Sequence, residues 1–370
     1  MSDVNTVPRP RGGWSGEILD VAQAIVVPPE KNGFVTSSGV LMADGSPCQH
    51  GALWRKHRPL TLPPEPPQSP PEELTGTWLW GGVLWLHFGH FVVESTGRLW
   101  GLAEHPDVDG ILFAPKRPGK ASPVRGLHKE MFEAFGWHGA FKVADRPLQV
   151  ERLIVPGQGF GLGPLIIGTP KFRAFAREFG KDIAPEGSEK LYISRSKLGL
   201  KKGLLIGERQ MEEKLAAEGY EVFHPEDHSI PVQVARYKAA RQIIAAEGSA
   251  IHLFAYAARP EQRVAVVLRR RSDATRMISK HLRAFGGVEP LLLDHLKRSW
   301  AREGTRTKRL FLGELDLPSI QHGLAEGGFI TKGTPVWPDL TLEEIRAQIG
   351  PDFQVVADFE EAGAETAAAG

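Results

Sequence analysis

The second half of the chain alternates short apolar runs with amphipathic runs, and this feature constrains the fold more than any other. Such runs predict strands and helices in turn. The predicted strands are 191–194, 220–223, 242–246 and 263–268, and the predicted helices are 208–218, 229–241 and 249–258. A βαβαβαβ order forms a parallel sheet, whose ligands bind beyond the carboxyl ends of the strands.

The first half alternates less regularly. Predicted strands at 22–27, 39–42, 78–85, 110–114 and 152–155 accompany predicted helices at 89–104 and 127–135. The proline-rich run 59–71 predicts a stiff loop. We therefore expect an α/β protein with an N-terminal α/β domain over 1–170, a Rossmann-like domain over 171–300 and a C-terminal extension over 301–370.

Charge and composition exclude several partners. The chain has 45 Lys and Arg against 44 Asp and Glu, a net charge of +1, so no general positive field attracts nucleic acid. The N-terminus is polar, the single cysteine cannot form an internal disulfide, and the apolar runs are far shorter than the roughly 20 residues of a membrane span. We expect a cytoplasmic protein without a membrane span.

Familiar glycine motifs are missing. The run 157–163 follows a predicted strand, but Leu162 stands where a dinucleotide motif needs its third glycine. We interpret this run as a mobile loop between domains. A hydride-transferring enzyme is correspondingly disfavoured.

A histidine and two charged residues share one face of the helix predicted to begin near residue 89. His90, Glu94 and Arg98 are spaced by four residues, so His90 and Glu94 can orient each other and act as a general base. An ordinary surface ion pair or a core histidine explains the spacing equally well. His87 and His90 have no third ligand in view, so we predict no metal site.

Two further candidate segments directly follow predicted strands. Arg195 follows the strand 191–194 and suits the binding of a diphosphate, although an ion pair with Glu208 is an equal alternative. Gly248 and Ser249 begin a helix after Glu247, and free amides at a helix start bind anions. His252 either donates to a phosphate or packs under the helix. The run 269–271, three arginines, predicts a solvated turn.

Together these segments resemble the family 61 glycosyltransferases. The resemblance covers about residues 78–268 and rests on motifs in a fixed order: His90-Phe91-Val92-Val93-Glu94 with Arg98-Leu99-Trp100, Tyr192-Ile193-Ser194-Arg195, Gly207-Glu208, and Glu247-Gly248-Ser249-Ala250. It implies a GT-B architecture, with two Rossmann-like domains facing across a cleft, and metal-independent, inverting transfer from a nucleotide sugar. The family usually has His at position 247, Asn at 207 and often Asp at 94.

The resemblance defines a hypothesis for each site. Glu94, aided by His90, removes the proton of an acceptor hydroxyl on a glycan or another molecule. The donor, a nucleoside-diphosphate sugar carrying a hexose or pentose, binds a second set of residues: Arg195, Glu208, Glu247, Gly248, Ser249 and His252. No metal or other cofactor is expected. The alternative is a non-catalytic sugar-nucleotide or glycan-binding protein on the same fold, which the residues at 247 and 207 favour.

Overall fold

A computed structural model describes residues 7–119 and 123–359, apart from the side chains of Asp273 and Ala274. Contacts divide the chain into unit 1 (Met1–Asp182) and unit 2 (Ile183–Gly370). Both units combine helices with a sheet that is at least partly parallel, which confirms the predicted α/β class. The facing domains of a GT-B enzyme stay a prediction. The end of the predicted extension, 360–370, lies outside the described residues.

Unit 1 is built on a six-stranded sheet. The strands of unit 1 are β1 (Ile18–Val27), β2 (Thr36–Ser37), β3 (Gly39–Leu41), β4 (Trp54–Arg55), β5 (Arg58–Pro59), β6 (Thr61–Leu62), β7 (Glu72–Leu84), β8 (Gly110–Pro115), β9 (Ala140–Val143) and β10 (Leu148–Pro156). Strands β2 and β6 pair with each other outside the six-stranded sheet, as do β4 and β5. The sheet order is β3-β1-β10-β7-β8-β9. Strands β10, β7, β8 and β9 are parallel, and β1 pairs antiparallel with β10 on one side and with β3 on the other. β7 and β8 are buried where they pair, because their apolar side chains supply the core.

The predicted continuous helix over 89–104 is wrong. The helices of unit 1 are α1 (Phe88–His90), α2 (Leu127–Ala134) and α3 (Pro170–Ala176); a π-helical turn (Phe91–Ser95) and a 3-10 turn (Leu99–Ala103) follow α1. Gly97 separates these turns, and a Cβ there would collide with the Phe160 carbonyl. The close approach of a second segment therefore overrides local helical preference.

The glycine-rich run 157–163 is a closely packed segment within unit 1, so the predicted mobile loop between domains is also wrong. A Cβ on Gly157 would collide with the Trp14 carbonyl, and one on Gly163 would lie 2.6 Å from Lys56 Cα. Gly163 also has a φ of +96°, a conformation that favours glycine. These glycines allow backbones to touch.

Arg98 is a structural residue of unit 1. Its buried guanidinium donates to the carbonyls of Ala52, at 2.6 Å, His50, at 2.5 Å, and Pro156. Burial lowers the pKa of Arg98 to about 9. The side chain thus joins the segment before β4 to the end of β10.

We expect Arg98→Met to lower the free energy of unfolding by roughly 2–4 kcal/mol, because three carbonyls lose their donor. Urea unfolding of the full chain measures this loss. Arg152→Met is the control, since Arg152 is half-exposed and pairs with Asp20 on the surface, where about 0–1 kcal/mol is at stake. Equal losses in both variants would contradict a structural role for Arg98.

Unit 2 contains two sheets. Its strands are β11 (Lys190–Ile193), β12 (Leu205–Ile206), β13 (Glu221–Phe223), β14 (Gln242–Ala246), β15 (Arg263–Val267), β16 (Leu291–Leu293), β17 (Leu296–Arg302), β18 (Leu312–Leu315) and β19 (Phe353–Asp358). Its helices are α4 (Glu208–Ala217), α5 (Ile230–Ala239), α6 (Ala250–Ala257), α7 (Asp273–Gly286), α8 (Leu317–Glu326) and α9 (Leu342–Ile349). No helix in the described part of the chain is both long and apolar enough to cross a bilayer.

The larger sheet of unit 2 is entirely parallel, in the order β13-β11-β14-β15-β16. This confirms the four strands and three helices predicted from the alternation, with β16 added at the edge. The order reverses between β11 and β14, and ligands of such sheets bind at this point. The second sheet, β12-β18-β17-β19, was not predicted.

Candidate functional site

Arg195 and Gly248 come together at the point in unit 2 where the strand order reverses. Ile193 pairs with Ala245, so the segments that leave β11 and β14 begin side by side. The Nε of Arg195 lies 3.5 Å from the position that a Cβ on Gly248 would occupy. A glycine at 248 therefore leaves room beside the guanidinium.

The Arg195 guanidinium is fixed but not fully used. Its Nη2 donates to the Lys202 carbonyl at 3.0 Å and its Nη1 to the Gly203 carbonyl. Nε is buried and has no hydrogen-bond partner in the described part of the chain. Burial lowers the pKa of this arginine. A buried N–H without an acceptor marks a place where an anion would be stabilised.

Glu208, the first residue of α4, is hydrogen-bonded to the segment that ends in Arg195. Its Oε1 accepts from the Arg195 backbone N–H at 2.9 Å, from the Tyr192 hydroxyl at 2.9 Å and from the Ser194 hydroxyl at 3.3 Å. The carboxylate therefore contacts the main chain of Arg195, while the guanidinium contacts carbonyls. The alternative of a simple Arg195–Glu208 ion pair does not describe this geometry.

Burial raises the pKa of Glu208 from 4.5 to about 7. The folded state thus binds this proton more tightly than the unfolded state, so its contribution to stability is full below pH 4.5 and is lost as the pH rises through 7. The separation corresponds to roughly 3 kcal/mol. We expect urea unfolding between pH 5 and pH 8 to show a stability loss that Glu208→Gln reduces by up to about that amount. An unchanged pH dependence in the variant would contradict the assignment.

The backbone conformation of Gly207 explains why glycine can stand where the family resemblance implies asparagine. Its φ of +95° and ψ of −2° are left-handed. Asn is among the few residues other than glycine that adopt this conformation readily. Glycine in place of the family's asparagine is therefore conservative for the backbone, and it gives no support to a loss of activity.

Glu247 is buried and already bonded. Its Oε2 accepts from the Arg269 backbone N–H at 3.0 Å, and its Oε1 from Arg270 Nε at 3.3 Å. The predicted solvated turn at 269–271 is wrong for Arg269, which is buried and donates to the Arg309 carbonyl at 3.1 Å. The end of β15 lies at the same sheet edge as the ends of β11 and β14. This position in the predicted sheet was the sequence signal that could have placed Arg269 at the site.

Ser249 and His252 differ in placement. Ser249 precedes α6 directly, next to Gly248. His252 lies within the helix, and its Nδ1 is 3.0 Å from Nδ1 of the buried His281 on α7. The packing alternative therefore describes His252 better than a phosphate contact.

Unit 1 brings His90 and Glu94 together and adds Arg55. Arg55 Nε donates to Glu94 Oε1 at 2.7 Å and Nη2 to Oε2 at 2.5 Å. His90 Nδ1 lies 3.1 Å from Glu94 Oε2 and 3.2 Å from Arg55 Nη2. The Glu94 side chain is 0% exposed and that of His90 is 30% exposed, so only the histidine can reach a substrate directly.

Sequence reasoning missed Arg55. It lies 39 positions before Glu94 and belongs to the short β4–β5 hairpin, a basic run whose sequence is Arg55-Lys56-His57-Arg58.

Within 7–119 and 123–359, no three His, Cys, Asp or Glu side chains are grouped as a metal-binding set.

The comparison with protein families covers residues of both units. Residues 88–265 match the family Glycosyltransferase 61, a stretch that includes His90, Glu94, Arg195 and Gly248. The protein is thus a glycosyltransferase, which takes a sugar donor and an acceptor. It contains a glycosyltransferase family 61 domain, as the ordered motifs predicted. A search of curated proteins gives no match.

Proposed function

We propose that the enzyme transfers a hexose or pentose from a nucleoside-diphosphate sugar to a hydroxyl acceptor, with inversion and without a metal. Unit 2 binds the donor and unit 1 the acceptor, facing each other as in a GT-B enzyme. The observation that carries this proposal is the unpartnered, buried Nε of Arg195 beside Gly248, at the carboxyl edge of a parallel sheet. A cytoplasmic location is part of the same proposal.

The donor's diphosphate is stabilised by two kinds of group. Arg195 supplies a fixed positive charge, and the backbone N–H groups of Ser249 and Ala250, at the start of α6, supply oriented donors. The next two N–H groups already donate to the carbonyls of Gly248 and Ser249. Both act on the charge that develops when the bond between the anomeric carbon and the diphosphate oxygen breaks. In this role Glu208 positions Arg195, and Glu247 positions the 269–270 segment.

The acceptor's proton goes to His90. Glu94 is fully buried and both of its oxygens are bonded to Arg55, so we assign it the positioning role and His90 the role of base. In the reactive tautomer His90 Nδ1–H donates to Glu94, and Nε2 carries the free electron pair. As the acceptor oxygen bonds to the anomeric carbon from the face opposite the diphosphate, its proton moves to Nε2.

Product analysis tests this proposal. The full chain is incubated with a panel of nucleotide sugars and saccharide acceptors, with and without chelator, and the anomeric configuration of the product is read by NMR. Inverted product that forms equally well with chelator supports the proposal, and retained configuration or full loss with chelator contradicts it. Nucleotide binding without transfer or donor hydrolysis would instead support the non-catalytic alternative.

A further inference from the structure

Three cations and two aromatic rings form a cluster in unit 1, the cationic patch: Phe34, Arg55, Arg58, Trp85 and Lys116. The Cζ of Arg55 lies 5.3 Å from the Phe34 ring centre and 5.0 Å from that of Trp85. The Cζ of Arg58 lies 4.7 Å from the Phe34 centre, and Lys116 Nζ lies 5.3 Å from that of Trp85. Phe34 is 47% exposed, so solvent reaches the cluster.

Positive charge in the cationic patch exceeds what the protein neutralises. Arg55 and Arg58 face each other across the β4–β5 pair, and like charges in that position destabilise a hairpin. Glu94 is bonded to Arg55. Among the described residues, no carboxylate lies within 4.0 Å of the charged nitrogens of Arg58 or Lys116.

Some N–H groups of the cationic patch also have no acceptor among the described residues. Lys116 Nζ donates to the carbonyls of Gly33 at 3.1 Å and Phe34 at 2.9 Å, which leaves one of three N–H groups. Within the described part of the chain, Arg55 donates to Glu94 through Nε and Nη2, and no hydrogen bond uses Nη1. Burial and the neighbouring Arg55 lower the pKa of Lys116, as expected for an ammonium group in a positive field.

The cationic patch adjoins the base assigned above. The rings of His90 and Trp85 have centres 4.8 Å apart, and Arg55 Nη2 is 3.2 Å from His90 Nδ1. A saccharide whose hydroxyl reaches His90 would therefore bring its neighbouring groups to Trp85 and the cations.

We propose that the cationic patch binds an oxyanion of the acceptor, and that the acceptor is a saccharide carrying a phosphate or carboxylate group. Guanidinium groups suit either anion, and an aromatic ring packs against the apolar face of a sugar. The assignment to the acceptor rests on the proposed function, through His90. With a net charge of only +1 on the whole chain, this attraction is local.

Calorimetry on the full chain tests the proposal with a hexose phosphate, a hexuronate, the neutral hexose and a nucleoside diphosphate. We expect at least one anionic sugar to bind about tenfold or more tightly than the neutral hexose, because bonds to charged groups are the stronger ones. Its identity decides between phosphate and carboxylate. Arg58→Gln and Lys116→Gln should each weaken that binding about five- to tenfold, while Arg58→Lys keeps most of it.

Arg146→Gln is the matched control, an exposed cation of unit 1 paired with Asp145, and it should bind the anionic sugar as the wild type does. Nucleoside diphosphate affinity should not change in the Arg58 and Lys116 variants. Equal affinity for neutral and anionic sugars, no binding of either anion, or unchanged binding in both variants would overturn the proposal. Loss of diphosphate affinity in Arg58→Gln would place the donor there and also overturn it. Donor hydrolysis by the wild type separates such a failure from failure of the proposed function.

Discussion

His90→Gln should lower kcat by about 10² to 10⁴, the usual contribution of a general base. Glutamine cannot accept the hydroxyl proton at neutral pH, although it keeps much of the size and polarity of the ring. The KM of either substrate should change little, because the proton moves only in the transition state. Steady-state kinetics with saturating donor and acceptor measure the loss.

His87→Gln is the matched control, since the rings of His87 and His90 have centres 5.3 Å apart and His87 is exposed. It should keep kcat within a few-fold. The pH profile distinguishes base from positioning residue: His90→Gln should abolish the rise of kcat with pH, whereas Glu94→Gln should keep a shifted rise at lower kcat. Full loss in Glu94→Gln together with near-normal kcat in His90→Gln would restore the hypothesis in which Glu94 removes the proton.

Arg195→Ala should lower kcat/KM by about 10² to 10³, the cost of removing one preorganised donor from developing negative charge. Nucleoside diphosphate affinity should fall as well, because the charge is fixed beside Gly248 before the donor binds. Arg195→Lys should recover only part of the loss, since an ammonium group cannot bond the carbonyls at 202 and 203 and also present an Nε–H.

Arg241→Ala is the control in unit 2, because that arginine is 75% exposed and pairs with Glu189 on the surface. It should leave diphosphate affinity unchanged. Thermal unfolding of Arg195→Ala with and without nucleoside diphosphate shows whether the folded protein has lost its ligand. A folded Arg195→Ala protein with normal affinity and turnover would remove this residue from the donor site.

The larger sheet of unit 2 follows from local sequence because each strand is apolar and each helix has one apolar face. The meeting of Arg195 with Gly248 was predictable for the same reason, since parallel strands end at one edge. The direction of each side chain was not. Whether Arg195 contacts a carboxylate or a carbonyl depends on the loop at 199–203, which no periodic pattern defines.

Unit 1 shows more clearly what local sequence patterns cannot predict. The spacing of His90 and Glu94 was informative, but the α-helix that justified it ends at His90, and Arg55 comes from a distant hairpin. Burial of Glu94 depends on this long-range contact. Sequence therefore predicted that His90 and Glu94 lie together, but it could not show which of the two side chains is exposed.

The close contact between Gly163 and Lys56 restricts position 163 to glycine. The hairpin that carries Arg55 and Arg58 rests against a glycine with no room for one methyl group. A single-base change in the codon at 163 could then move two guanidinium groups without altering either. If the cationic patch binds the acceptor as proposed, a substitution at such a supporting position would change the choice of acceptor without changing any residue that meets the saccharide.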